Sequence, residues 1–269
     1  MSVVTLTTDF GKRDPYVAAM KGVLCCECPG VQMVDLSHDI APQDVLEGAL
    51  FLAGAAPYFP PATIHVAVVD PGVGTGRAPI VVSAGGQRFV CPDNGLLSLF
   101  ARQHPVEEAR VVSNPVFMRH PVSATFHGRD IFAPTAGRLA CGAPLEEVGD
   151  LLGEIVLLDV PCPERESERR LQGTVIHVDR FGNAITNIPH SLLADVAIEA
   201  VRAGDHCIEG LYATYGDVAP GRPLALIGSS GYLEIAVRDG NAGAELELSP
   251  GTCVTVNTLP RNESPSVSP

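Results

Sequence analysis

Asp70 and Arg77 close the two ends of Asp70-Pro-Gly-Val-Gly-Thr-Gly-Arg77, an acid and a guanidinium separated by three glycines. The segment follows directly on the apolar, β-branched run Thr63–Val69, which reads as a buried strand. Strand, acid, flexible loop and guanidinium is how an α/β protein presents polar groups at the carboxyl end of its sheet, where ligands bind. Asp-Pro-Gly is equally an ordinary turn. The glycines fit neither a Walker nor a Rossmann fingerprint, since the lysine and the helix-opening spacing are both missing. They suit close approach of a substrate, or a loop that lets Arg77 curl back towards Asp70.

Three other loops carry comparable groups. Thr7-Thr-Asp-Phe-Gly11, with Asp14 just beyond, places Asp9 immediately after a predicted strand. A carboxylate there can accept two hydrogen bonds from a vicinal diol such as a ribose, or cap a helix or Asx-turn. Thr125-Phe-His-Gly-Arg-Asp130 presents His127 beside Gly128 and Arg129. Histidine titrates near neutrality and suits proton handling, although a lone histidine is often structural, the reading adopted for His38 and His177. Asp179-Arg-Phe-Gly-Asn183 offers the aromatic face of Phe181 between a carboxylate and an amide. Those are parts for stacking a base and reading its edge, or for a β-hairpin turn. Turns at Ser229-Ser230 and Gly240-Asn241 can line the same cleft.

The elements that must position these loops follow from hydrophobic period. Strands are predicted at Val3–Thr7, Val31–Leu36 and Thr63–Val69. Helices are predicted at Pro15–Cys26 and Gln43–Ala55, which alternate with those strands. That β-α-β-α-β order predicts a parallel sheet with helices on its faces. Ile80–Ser83 and Arg88–Cys91 around Gly85-Gly86 read as a hairpin. Asn94–Arg102 and Asp130–Ala140 read as helices, Pro134 forcing the latter to start late or kink. Val111-Val112 reads as a short strand.

Beyond the charge-mixed stretch Pro161–Arg170, helical signals nearly vanish. Gly173–Val178, Ala184–Ile188, Val196–Val201, Leu224–Ile227, Tyr232–Val237 and Cys253–Val256 read as strands of a barrel or sandwich. The expected layout is an α/β domain over 1–160, a linker over 161–171, a smaller all-β domain over 172–259, and a disordered Pro/Ser-rich tail over 260–269.

Bulk properties exclude several functions. The chain has 269 residues, is 46% hydrophobic, and carries 18 Lys+Arg against 31 Asp+Glu, a formal charge of −13. That acidic balance argues against nucleic-acid binding, which needs a basic surface. It leaves room for a cationic small molecule. No apolar run reaches the roughly 20 residues needed to span a bilayer, and no basic leader precedes Val3, so a cytoplasmic protein is expected. Of eight cysteines, Cys25, Cys26 and Cys28 cluster. No second Cys-x-x-Cys exists to complete a zinc site, so reduced, partly buried thiols and no metal are expected.

Seven motifs in order then acquire a joint meaning: Thr8-Asp-Phe-Gly with Asp14, Tyr16-Val and Met20-Lys-Gly22; Asp35-Leu-Ser-His38; Val69-Asp-Pro-Gly-Val-Gly74; Pro92-Asp-Asn-Gly-Leu-Leu97; Thr125–Asp130; Phe181-Gly-Asn with Thr186-Asn187; and Ser230-Gly-Tyr-Leu233. Together, spanning about residues 3–256, they resemble the S-adenosyl-L-methionine (SAM) hydroxide adenosyltransferase, or SAM hydrolase, family, whose relatives include fluorinase and chlorinase. The resemblance implies a Rossmann-like N-terminal domain with a mostly parallel sheet and a C-terminal β-barrel. It implies a homotrimer with active sites at subunit interfaces, and conversion of SAM and water to adenosine and L-methionine. SAM is then substrate, and neither cofactor nor metal is implied. By position, Asp70, Arg77 and His127 form the catalytic set and Asp9 takes the ribose-binding place. Asp14, Gly128, Asp179, Phe181, Asn183, Ser229, Ser230 and Asn241 fall at substrate-binding positions.

On this resemblance Arg77 fixes the attacking water, Asp70 orients Arg77 and accepts from the water, and His127 takes a proton or holds the water in line. Which of them deprotonates the water stays open. Fluorinase differs by a Tyr-Ser pair in place of His127-Gly128, a tyrosine in place of Asp70, and an extra loop not found here. Chlorinase likewise lacks the acid. The alternatives are a SAM-dependent halogenase and a non-catalytic protein that binds adenosine or SAM.

Overall fold

Runs of apolar and β-branched residues form the inner strands of the first sheet. The computed structural model describes residues 2–194 and 196–259, and the stretch expected to be a disordered tail, 260–269, lies outside them. The chain divides into two compact units, Met1–Asp159 and Val160–Pro269.

In the first unit β1 (Val3–Thr8), α1 (Tyr16–Glu27), β2 (Gln32–Ser37), α2 (Val45–Ala55) and β3 (Ile64–Val68) alternate as the hydrophobic period predicts. They are followed by β4 (Pro79–Ala84), β5 (Gln87–Pro92), the short α3 (Ser98–Ala101), β6 (Val106–Val111) and α4 (Ala133–Ala140). The sheet order is β2-β1-β3-β5-β4-β6. Pairing is parallel from β2 through β5 and antiparallel at the β5-β4 and β4-β6 steps, so the sheet is mixed.

Both faces of the sheet are covered. Val4 and Leu6 of β1 pack with Met20 and Leu24 of α1 and Ala136 and Leu139 of α4. Ala67 and Val69 face Leu52 of α2 and Phe100 of α3. Such strands, buried on both sides, are near-continuously apolar. Asp44 caps α2 by accepting the Glu47 N–H at 2.9 Å, a contact that stabilises a helix by about 1 kcal/mol.

The strand order matters for function. β1 leaves one neighbour on each side, β2 and β3, so the chain reverses its winding direction there. The loops after β1 and β3 therefore emerge side by side, with Thr8 registered against Val68. A crevice at such a reversal is where open α/β sheets bind ligands.

The second unit is an antiparallel, barrel-like sheet of eight strands: β7 (Glu164–Ser167), β8 (Arg170–Val178), β9 (Ala184–Pro189), β10 (Ile198–Ala203), β11 (His206–Glu209), β12 (Pro223–Ile227), β13 (Tyr232–Val237) and β14 (Cys253–Thr258), with α5 (Ala242–Glu245) before the last strand. The order is β11-β10-β14-β8-β9-β13-β12, and β7 pairs with β8. A bridge between Tyr212, just past β11, and Leu226 of β12 nearly closes the ring. Val175, Ile188, Val201, Leu233, Ile235 and Val254 fill its core.

Several elements differ from expectation. The helix expected over Asn94–Arg102 shrinks to Ser98–Ala101. Gly95 takes φ +98°, and the Asn94 side chain bonds the Val69 carbonyl instead of starting a helix. The short strand expected at Val111 is the six-residue β6. The polar stretch expected to link the domains holds β7 and the start of β8. The cysteines are free, but six of the eight, including Cys25 and Cys26, are exposed rather than partly buried.

Candidate active site

Asp70 leaves the end of β3, and the following loop returns on itself. The Val73 N–H bonds the Asp70 carbonyl at 3.2 Å, and the Thr75 N–H and hydroxyl both bond the Gly72 carbonyl. The turn brings Arg77 back onto Asp70, whose carboxylate accepts Nε at 2.9 Å on Oδ1 and 3.0 Å on Oδ2, and also Nη2 on Oδ2. Asp70 and Arg77 side chains are only 4% and 9% exposed, so this is a buried ion pair. Two glycines permit the geometry. A side chain on Gly72 would crowd Arg77 Cγ, and Gly74, at φ +75°, lies where a Cβ would overlap the Ala124 carbonyl oxygen. Asn94 braces the start of the loop through the Val69 carbonyl at 2.9 Å.

That close approach at Ala124 delivers the second loop. His127 stands at the entry to a single π-helical turn, Gly128–Phe132, which runs into α4. π-turns of this kind are frequent at functional sites. A Cβ on Gly128 would lie 3.0 Å from Met20 Sδ and 3.3 Å from the rings of Phe10 and Phe126, tighter than ordinary packing. Asp130, fully buried, accepts Arg129 Nε and Nη2 at 2.7 and 2.8 Å and the Ser123 N–H at 2.9 Å, which ties the loop around His127. Although burial opposes ionisation, Arg129 and the Ser123 N–H hold the Asp130 carboxyl below its usual range.

The two loops meet through a hydrogen bond from Arg77 Nη2 to His127 Nδ1, at 2.7 Å. A guanidinium has donors only, so Nδ1 is the acceptor and the neutral ring carries its proton on Nε2. Burial, and then the Arg77 charge, push His127 below the ordinary imidazole range against the pull of Asp70 and Asp130. The guanidinium also lies 5.3 Å from the Phe132 ring centroid, which supports it from the core. Asp70, Arg77 and His127 are thus one bonded cluster, with Gly128 beside it.

Asp9 and Asp14 are not bonded to that cluster. Asp9 follows β1 on the neighbouring strand, and its Oδ2 accepts the Gln43 N–H at 2.9 Å. Asp14 is exposed just before α1.

The barrel-unit positions form their own group. Asp179 Oδ1 accepts the Phe181 and Asn183 N–H groups, both at 2.8 Å, and its backbone pairs with Asn183, so the carboxylate shapes the turn. Phe181 at its tip is 77% exposed. Asn241 caps α5 through the Ala244 N–H and sits where any side chain on Gly182 would be. Ser229 and Ser230 occupy the exposed hairpin turn between β12 and β13. Beneath that turn Glu234, 5% exposed, accepts the Tyr215 hydroxyl at 2.6 Å. Burial and the nearby Asp179 charge raise the Glu234 carboxyl above its ordinary value despite that bond.

Phe132, Asn94, Asp130 and Glu234 carry no assignment from the sequence reading. Asn94 and Asp130 lie inside quoted motifs. Phe132 and Glu234 are marked by burial, which a sequence does not display. Among the described residues no cluster of three metal-ligating side chains occurs, and no helix is long and apolar enough to cross a membrane.

A mixed α/β unit with a carboxylate–guanidinium–imidazole cluster at its sheet reversal, followed by an antiparallel barrel-like unit, defines a two-part class of fold. Within it, the chain belongs to the SAM hydroxide adenosyltransferase family. The profile of that family's N-terminal domain matches residues 4–149 and that of its C-terminal domain residues 173–255. The chain is 42% identical to the (R)-S-adenosyl-L-methionine hydrolase of Salinispora tropica, covering 92% of this chain and 95% of that protein. It is 39% identical to the enzyme of the same name from Thermus thermophilus, covering 93% and 98%. A fluorinase from an Actinoplanes species is more distant, 30% identical over 290 aligned positions. Those exceed this chain's 269 residues, so the fluorinase carries inserted segments. A solved protein from Thermotoga maritima superposes with a TM-score of 0.87 at 37% identity, covering 96% of this chain and 100% of that one.

Proposed function

We propose that this protein hydrolyses SAM to adenosine and L-methionine. The carrying observation is the hydrogen-bonded, partly buried Asp70–Arg77–His127 cluster in a chain about 40% identical to proteins named for that reaction. Water attacks C5′ in line with the departing sulfur. As the C5′–O bond forms, the C5′–S bond breaks and its electron pair neutralises the sulfonium, releasing methionine as a thioether. The leaving group is already activated, so the protein's task is to position a poor nucleophile. Good near-attack geometry is worth roughly 7–11 kcal/mol in favourable cases.

The hydrogen-bond pattern supports a division of roles. With Nδ1 engaged by Arg77, His127 offers Nε2–H to the water oxygen and orients it by donation. Asp70 is the group with lone pairs to accept the water's proton as attack proceeds, while Arg77 holds both partners in register. Asp9 binds the ribose diol, with Asp14 and Gly128 close by. Asp179, Phe181, Asn183, Ser229, Ser230 and Asn241 contact the methionine and adenosine ends. The first unit is read as Rossmann-like. The protein works as a cytoplasmic homotrimer with active sites at subunit interfaces, and uses no cofactor.

The test is incubation of purified protein, freed of bound nucleoside, with SAM, followed by chromatography. Adenosine and methionine should appear in equal amounts, and Asp70→Ala and His127→Ala should each slow their release strongly. Absence of adenosine above a heat-killed control overturns the proposal. A 5′-halo-5′-deoxyadenosine that forms when halide is added makes the protein a halogenase.

A further inference from the structure

His38 is a buried histidine that the water-handling cluster does not use. It is 1% exposed, at the end of β2, beside the loop that carries Asp9. Its Nδ1 lies 2.9 Å from the Thr8 hydroxyl, which in turn accepts the Phe10 N–H at 3.2 Å. The backbone carbonyl of His38 accepts the Gly11 N–H at 2.7 Å. On the far side of the ring, Nε2 lies 3.0 Å from Asp35 Oδ1, and Asp35 Oδ2 accepts Lys21 Nζ at 2.7 Å. A carboxylate beside Nε2 favours the Nε2–H tautomer, which leaves Nδ1 to accept the Thr8 proton. Thr8 Oγ1 is then free to accept from Phe10.

Asp9 is the residue between these fastenings. Its neighbours Thr8 and Phe10 are held through His38, and Gly11, at φ +66°, is held by the His38 carbonyl. The Asp9 carboxylate is itself pinned by the Gln43 N–H, in a residue held at φ +67°. Two adjacent loops therefore latch to each other with Asp9 at the seam.

We propose that His38 is a positioning residue: through Thr8 it sets the Thr8–Gly11 turn, aims Asp9 at the sugar, and so sets selectivity for ribose over 2′-deoxyribose. The inference rests on the reading of Asp9 as the ribose-binding acid. Lys21 holds Asp35, which stands beside His38 Nε2.

The test is calorimetric titration of the full chain with adenosine and with 2′-deoxyadenosine, which requires no turnover. The wild type should bind adenosine at least about tenfold more tightly, as expected when a carboxylate loses one hydroxyl partner. Thr8→Val, nearly the same shape, and His38→Ala should narrow that ratio to within about threefold, while Thr8→Ser, which keeps the hydroxyl, should retain it. A general loss of fold would weaken both nucleosides and leave the ratio unchanged. A folded Thr8→Val protein with the wild-type ratio overturns the proposal, as does a Thr8→Ser ratio that collapses like that of valine. A wild type that binds the two nucleosides equally, or binds neither, overturns it as well. A wild type that discriminates between them yet forms no adenosine from SAM sinks the hydrolase reading and leaves this inference standing.

Discussion

Arg77→Met is the sharpest perturbation of the cluster. It removes the guanidinium and keeps an unbranched side chain. Asp70 is 4% exposed and takes its contacts from Arg77 through Nε and Nη2, so the substitution leaves a buried carboxylate without its counter-charge. Breaking one side of a buried pair costs about 3–5 kcal/mol. For a unit of this size, 1 kcal/mol moves Tm by about 2–4 °C, so the first unit, Met1–Asp159, should melt roughly 6–20 °C lower.

Thermal unfolding of wild type, Arg77→Met, Asp70→Asn and the double variant at pH 7.5 reads this directly. The double variant should recover most of the loss, because no unpaired charge remains. An Arg77→Met deficit under 2 °C, or a double variant no better than Arg77→Met, would refute the reasoning.

Four measurements extend the test. Protonated His127 cannot accept from Arg77, and its pKa is lowered, so the acidic limb of kcat/KM should fall below the ordinary imidazole value of about 6.5; a limb at or above it contradicts the assignment. Gly74→Ala should combine strain at φ +75° with a clash on Ala124 and lower kcat more than it raises KM; wild-type kinetics would show that the loop does not set the geometry. Glu234 has a raised folded pKa, so its contribution to stability is fullest at low pH and is lost as pH rises. The Tm difference between Glu234→Gln and wild type should therefore move in the variant's favour from pH 4 to pH 8, and a flat or opposite trend rejects the reading. Asp70→Asn should free Arg77 to hold an anion, giving a Tm rise in chloride over gluconate that wild type lacks; equal responses would mean that the carboxylate does not repel halide.

What the sequence displays and what it hides divide along physical lines. Asp70 and Arg77 are legible because a strand end, an acid and a glycine loop are local signals. Their bond to His127 spans 50 residues and depends on a backbone contact between Gly74 and Ala124, which no period reveals. Strands buried on both faces, such as β1 and β3, are legible as runs of β-branched and apolar residues. The outermost strand β6 is not, because Glu107, Glu108 and Arg110 give it a polar composition that masks its period. The exposed, charged β7 is hidden for the same reason, and its residues read as linker. Leu96, Leu97, Leu99 and Phe100 mimic a helical stripe, yet Asn94 and Gly95 bend the chain first. His38 reads correctly as a structural histidine, but the loop it supports becomes visible only with the Thr8 contact in hand.

If the cluster handles the nucleophile as proposed, its charge favours water over halide. Arg77 is the cation of the cluster, and Asp70 neutralises it within hydrogen-bond distance. An anion placed beside that pair meets a carboxylate at contact range. At about 4 Å and an effective dielectric of 20, the repulsion is on the order of 4 kcal/mol, enough to offset the attraction of the guanidinium. Water carries no charge to repel, and in the mechanism proposed above it can use every group present: a donor from His127 Nε2–H and the Asp70 lone pairs as acceptors for its own protons. On that proposal the acid that neutralises the arginine is also the acceptor that the nucleophile needs, so a single residue type at position 70 both disfavours halide and favours hydrolysis.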